Sequence, residues 1–152
     1  MKSLQQDFMQ LFEALAHDAA PEGATVAANS FADHDQIDLV PSNPCAARIR
    51  AILPRSQAQG VTLVVGKGTI FEIPENGGRY TEHHTAIEEA AALSKAVVGG
   101  RFTERVRTDS KNLVISSKGI IDVPPAVTAR WRRLLTNPFR RTYVKHFHYE
   151  PY

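Results

Sequence analysis

Cysteine is almost missing from this chain: Cys45 is the one residue of its kind among 152. An internal disulfide is therefore excluded, and the composition suits a reducing compartment rather than a cross-linked secreted scaffold. Long apolar runs are missing too. No stretch of about 18 apolar residues exists, so no membrane-spanning helix is expected. Polar Gln5, Gln6, Asp7 and Gln10 interrupt the first segment, which rules out a signal-peptide core there. A cytoplasmic location with no membrane partner is the expectation. Internal repeats and low-complexity tracts are absent, as are the Walker and dinucleotide glycine patterns, the serine elbow, the zinc-protease helix and paired-cysteine zinc spacings. No cofactor is implied.

What is present is an ordinary globular composition, 43% hydrophobic and 22% charged. A chain of this length fits one domain over residues 1–152 and can bury roughly 70% of its unfolded surface, enough for a core without staples.

Leu4, Phe8, Leu11, Phe12 and Leu15 recur at helical spacing. Ser3 and Gln6 form a capping box, and this helix should fade near His17. Residues 25–41 predict two extended pieces around Asp33-His34-Asp35. Asn43 and Pro44 predict the start of a short helix with Cys45, Ile49, Ile52 and Leu53 on one face, stopped by Pro54. Residues 61–65 and 69–73 predict a central hairpin around Gly66-Lys67-Gly68. A phosphate cradle would need a helix after those glycines, so a turn is the reading. Thr85 and Glu88 predict the start of a second long helix, closed by Gly99-Gly100. A meander of strands 101–108, 112–117 and 120–123 should follow, with Lys118-Gly119 as its second turn. Pro124-Pro125 predict a helix with Val127, Trp131, Leu134 and Leu135 buried, closed by Asn137-Pro138. A strand from Thr142 to about Tyr149 ends the chain. The sum is an α+β domain: a largely antiparallel sheet with a central hairpin and a C-terminal meander, and helices packed on the sheet.

Charge is distributed unevenly. Residues 1–100 hold 7 Lys+Arg against 12 Asp+Glu, and residues 101–152 hold 11 against 4. A field of one sign attracts and steers a partner of the other. The residues that would meet it are Arg101, Arg105, Arg107, Arg130, Arg132, Arg133, Arg140, Arg141 and Lys145. On a strand, Arg101, Thr103, Arg105 and Arg107 share one face, and Phe102, Glu104 and Val106 the other. Either acids of the first hundred residues (Glu72, Glu75, Glu88 or Glu89) neutralise that stripe, or a partner does.

Other candidates are weaker. His146 and His148 lie two apart on a strand and share a face; with His83 and His84 they are candidate metal ligands if the chain brings them together. Glu72, among Ile70, Phe71 and Ile73, is a candidate general acid or base if burial raises its pKa. Cys45 reads as a small buried residue. Tyr149-Glu150-Pro151-Tyr152 is either a strand end tucked onto the surface or an exposed motif.

Three function classes follow. The leading expectation is a non-catalytic binding protein that docks an acidic protein through its basic C-terminal surface, as an adaptor or a toxin-neutralising immunity-type protein. The alternative is nucleic-acid binding on the same surface, since basic residues interleaved with aromatics occur at single-strand sites. The third is a small metal-assisted enzyme built on the histidine pairs.

Overall fold

A computed structural model describes residues 3–19, 23–56, 60–123, 126–133 and 141–152. Helix α1 (Leu4–Asp18) has the expected capping box. The Gln6 N–H donates to Ser3 Oγ and the Ser3 N–H donates to Gln6 Oε1. Its Phe8, Phe12 and Leu15 are buried. Strands β1 (Ala24–Ser30), β2 (His34–Pro41), β3 (Ile49–Pro54), β4 (Val61–Val65) and β5 (Thr69–Ile73) form one antiparallel meander. Helix α2 (Ala86–Val98) follows, with the Glu88 N–H donating to the Thr85 hydroxyl at 3.3 Å. Strands β6 (Phe102–Asp109), β7 (Val114–Ile121), β8 (Val127–Arg132) and β9 (Thr142–His148) make a second antiparallel sheet in the order β8-β7-β6-β9. One continuous core, from Phe8 and Phe12 through Leu63 and Phe71 to Phe102 and Val127, joins helices and sheets. The expected α+β class, the hairpin at 61–73 and the C-terminal meander are present, with the strands divided between two antiparallel sheets and β5 at the edge of the first.

Three local expectations are corrected. Residues 49–54 form a strand, not a helix: Ile49, Ala51 and Leu53 are buried while Arg50, Ile52 and Pro54 are half-buried, a period of 2. Asn43 caps only a turn, through its Oδ1 and the Cys45 N–H at 2.9 Å, and Cys45 is exposed. Residues 127–132 form β8 rather than a helix. Val127 and Ala129 are buried and Trp131 half-buried, and these alternate with exposed Thr128, Arg130 and Arg132. The remainder of that predicted helix, including Leu134, Leu135, Asn137 and Pro138, lies outside the described residues. Lys118-Gly119 is strand interior, not a turn. A Cβ at Gly119 would lie 2.6 Å from Thr69 Cγ2 and 2.7 Å from the Phe102 ring, so glycine lets the two sheets approach here.

That contact is the polar centre of the fold. Glu104, 2% exposed on the inner face of β6, receives the Lys67 N–H at 2.8 Å and the Thr69 N–H at 3.1 Å. The Thr69 and Tyr149 hydroxyls each donate to it at 2.7 Å. The hairpin tip thus holds an anion, but the anion belongs to the protein. Gly66 (φ +66°) is needed twice over, because a Cβ there would lie 2.6 Å from Glu104 Oε2 and 2.7 Å from the Tyr149 hydroxyl. Burial first, and then the bond to Glu104, push the Tyr149 phenol above its ordinary value. Tyr149 also stacks on Phe102, with ring centroids 5.3 Å apart. The Tyr152 hydroxyl donates to the Ala47 carbonyl, so the C-terminal residues are tucked onto the first sheet.

Two other buried carboxylates organise their surroundings. Glu89, fully buried on α2, accepts the N–H groups of Arg79, Tyr80 and Thr81. Asp38, 2% exposed, takes Arg50 Nε at 2.8 Å, Arg48 Nη2 at 3.0 Å and Gln36 Nε2 at 2.9 Å. Burial opposes ionisation of Asp38, but the bonds from Arg50 and Gln36 and the charges of Arg50 and Arg48 outweigh it and hold its pKa below the ordinary value.

Two outcomes follow. Glu104→Gln keeps the size but aims an amide N–H₂ at groups that are themselves donors. It should lower the unfolding free energy in urea by about 2–4 kcal/mol, and a loss below about 0.5 kcal/mol would show the carboxylate to be dispensable. Asp38, with its depressed folded pKa, contributes stability that is full above its unfolded pKa of about 4 and is lost as pH falls through the folded value. The urea midpoint of Asp38→Asn should therefore fall less than wild type between neutral pH and about pH 3; equal falls would contradict this.

Candidate anion-docking surface

The second sheet has one face on the core and one face on which no described element packs. Phe102, Glu104, Val106, Ile115, Ser117, Gly119, Ile121, Val127 and Ala129 point inward and are buried. The alternate residues point outward. Register then decides which of these are neighbours. Arg105 pairs with Lys118 on one side and His146 on the other, and Lys118 pairs with Arg130. A row His146–Arg105–Lys118–Arg130 therefore crosses all four strands, about 14 Å at the usual strand spacing. The next row is Val144–Arg107–Ser116–Arg132, and on the other side lies His148–Thr103–Ile120–Thr128. None of these twelve positions is acidic.

No carboxylate among the described residues lies within 4 Å of Arg105, Arg107, Lys118, Arg130 or Arg132. The ion pairs of the described residues involve Arg48, Arg50, Arg55, Arg79 and His34 instead. Among the described residues, no acid of the C-terminal third forms an ion pair with these five cations. Glu104 and Asp109 are 2% and 1% exposed, and Asp109 holds the β6–β7 turn through the Lys111 and Leu113 N–H groups at 2.8 and 2.9 Å. Internal neutralisation by Glu72, Glu75, Glu88 or Glu89 does not occur: Glu89 is committed to the 79–81 loop, and Glu72 sits 3.5 Å from Arg79. Arg105, Arg107, Lys118, Arg130, Trp131 and Arg132 border a shallow depression of about 310 Å³.

The nine expected partner residues are thus divided. Arg105, Arg107, Arg130 and Arg132 share the outer face, and Arg101 has the same strand parity just before β6. Lys145 points to the opposite side with Tyr143 and Phe147, and its Nζ reaches Asn112 Oδ1 at 3.5 Å. Arg133 and Arg141 are exposed at strand ends, and Arg140 lies outside the described residues. Lys118 was missed because Lys118-Gly119 read as a turn. The signal that would have found it is the unbroken alternation of Ile115, Ser117, Gly119 and Ile121 around it.

The other expected sites do not assemble. Among the described residues no three His, Cys, Asp or Glu side chains are grouped to hold a metal ion. His146 and His148 share the outer face, while His83 bonds Thr81 Oγ1 at 2.7 Å beside α2, near His84. The Glu72 side chain is 70% exposed, so the burial that a general-acid role requires is missing. It borders a cavity of about 550 Å³ with Arg79, Tyr80, Arg130 and Trp131 where β5 meets β8, and its ion pair there is with Arg79. Comparison with known proteins finds no matching family model, no matching curated protein and no matching solved structure.

Like charges directly opposite on neighbouring strands destabilise a sheet, by about 0.2–1 kcal/mol per pair. Arg105–Lys118 and Lys118–Arg130 are two such pairs. The melting temperature should therefore rise with added NaCl. The R105Q/K118Q/R130Q variant should melt at or above the wild-type temperature in low salt. A drop of several degrees would assign these cations an internal structural role.

Proposed function

We propose that the outer face of the second sheet docks an acidic protein, in an adaptor or neutralising role. The observation that supports this is the row His146–Arg105–Lys118–Arg130, whose members lie in direct register on the outer face and form no ion pair with any described residue. A fold gains nothing from such a row in isolation. An approaching carboxylate surface gains both charge steering and the forked donors of several guanidinium groups.

Composition of the face favours protein over nucleic acid. Single-strand binders stack bases on aromatic rings spread through a basic groove. Here the outer positions carry no Phe, Tyr or Trp; the rings are those of His146 and His148 alone. Trp131 has the opposite parity on β8 and is half-buried, and it is the single Phe, Tyr or Trp that borders the basic depression, where a stacking groove needs several. Among the described residues, Phe147 and Tyr149 of the basic segment stack on each other and Tyr149 stacks on Phe102, on the side away from the outer positions.

Polyglutamate should bind wild type measurably at about 50 mM salt and about tenfold or more weakly to R105Q/K118Q/R130Q. A single-stranded oligonucleotide of equal charge should bind less tightly than polyglutamate. Tighter oligonucleotide binding that collapses between about 50 and 200 mM salt would move the assignment to nucleic acid. Absence of binding to both would remove the docking role.

A further inference from the structure

Among the described residues, the edge of the second sheet formed by β9 is open. The Tyr149 N–H donates to the Phe102 carbonyl at 3.3 Å. The register from Thr103↔His148 to Asp109↔Thr142 is unbroken. That phase turns the main-chain groups of Tyr143, Lys145 and Phe147 toward β6, and those of Val144, His146 and His148 away from it. Glu150 keeps the alternation: its N–H points to the open side and donates to the Cys45 carbonyl at 3.1 Å, where Ala46 makes a parallel bridge. A backbone therefore already lies against this edge just beyond its end, while Val144, His146 and His148 have no main-chain partner among the described residues. The edge is also uncovered by side chains, with Tyr143 47% and Val144 41% exposed.

We infer that β9 accepts an extended acidic segment of the partner protein as a fifth strand. The inference rests on the docking reading above and specifies how the partner engages. Unpaired N–H and C=O groups at alternate positions supply main-chain bonds to any extended chain. Charge then selects which chain. On the outer side, an added strand lies beside His146 and His148, with Arg105 and Arg107 one strand further in. On the inner side it lies beside Lys145. A cavity of about 500 Å³ opens at the C-terminal end of the edge, bounded by Cys45, Arg48, Lys67, Phe147 and His148. Lys67 Nζ sits 5.6 Å over the Phe147 ring there, with no carboxylate of the described residues within 4 Å. Arg48 is already paired with Asp38, which leaves Lys67 as the free cation of that rim.

A second copy of β9 is the wrong occupant. It would bring another Arg141 and Lys145 against the same charges. Edge cations are a common guard against self-pairing, and here they also set the sign of the strand that is admitted. By contrast, the edge strand β1 of the first sheet, Ala24–Ser30, carries no charge with which to choose.

Three probes test this with the intact protein: a peptide alternating glutamate and valine, the same peptide with every main-chain N–H methylated, and polyglutamate. The unmodified peptide should bind about tenfold or more tightly than its methylated form, which keeps the charge but cannot pair. In the complex, amide hydrogen exchange at Val144, His146 and His148 should slow by about tenfold or more. Equal affinity for the two peptides, or unchanged exchange at those three amides in the bound protein, overturns strand addition. So does binding of polyglutamate with none of the alternating peptide, which leaves the docking reading standing. Failure of all three probes to bind overturns the docking reading and this inference with it.

Discussion

The Glu104 carboxylate is the constraint on which the rest of the molecule depends. A buried carboxylate that forms no ion pair with a described residue is tolerable only if donors replace its lost water. Here two main-chain N–H groups and two hydroxyls do so, and they come from three places in the chain: the hairpin tip, Thr69 and Tyr149. The same contact fixes the two sheets against each other, requires glycine at positions 66 and 119, and draws the C-terminal residues onto the core.

It also explains the exposed charge. On strand β6, Glu104 turns inward while Arg105 and Arg107 turn outward. Asp109 is buried at the next turn. Of the four acids in residues 101–152, only Asp122 and Glu150 remain exposed, whereas nine of the ten described basic residues there are exposed. The asymmetry seen along the sequence is therefore sharper in space. Arg105, Arg107, Lys118, Arg130 and Arg132 share the outer sheet face, and Lys145 lies on the open edge strand of the same sheet.

Much of this was legible in the residues. The two capped helices, the hairpin around Gly66-Lys67-Gly68 and the outward Arg105 and Arg107 follow from capping chemistry and period-2 alternation, which are local properties. The misread segments are those where two periods fit equally well. Cys45, Ile49 and Ile52 suit a helix face, while Ile49, Ala51 and Leu53 suit a strand, and pairing with β2 and β4 decides. Val127 and Trp131 suit either as well, and pairing with β7 decides. Proline at 44 and at 124–125 biased both readings toward helix starts. The buried carboxylates were hidden for a different reason. Alternation placed Glu104 on the inner side with Phe102 and Val106, but its donors lie 35 to 45 residues away in sequence. The cross-strand row was hidden likewise, because register is a property of the pairing and not of any one strand.

The central claim is that the outer face of the second sheet is where an acidic partner lands. Its most direct test is residue-resolved: amide chemical-shift changes in the isotopically labelled protein during a polyglutamate titration at low salt. The account predicts the largest changes at Thr103, Arg105, Lys118, Arg130 and His146, with α1 and β1 unaffected. Changes centred on the first sheet, around Arg48, Arg50 or Arg55, with the row silent would contradict it.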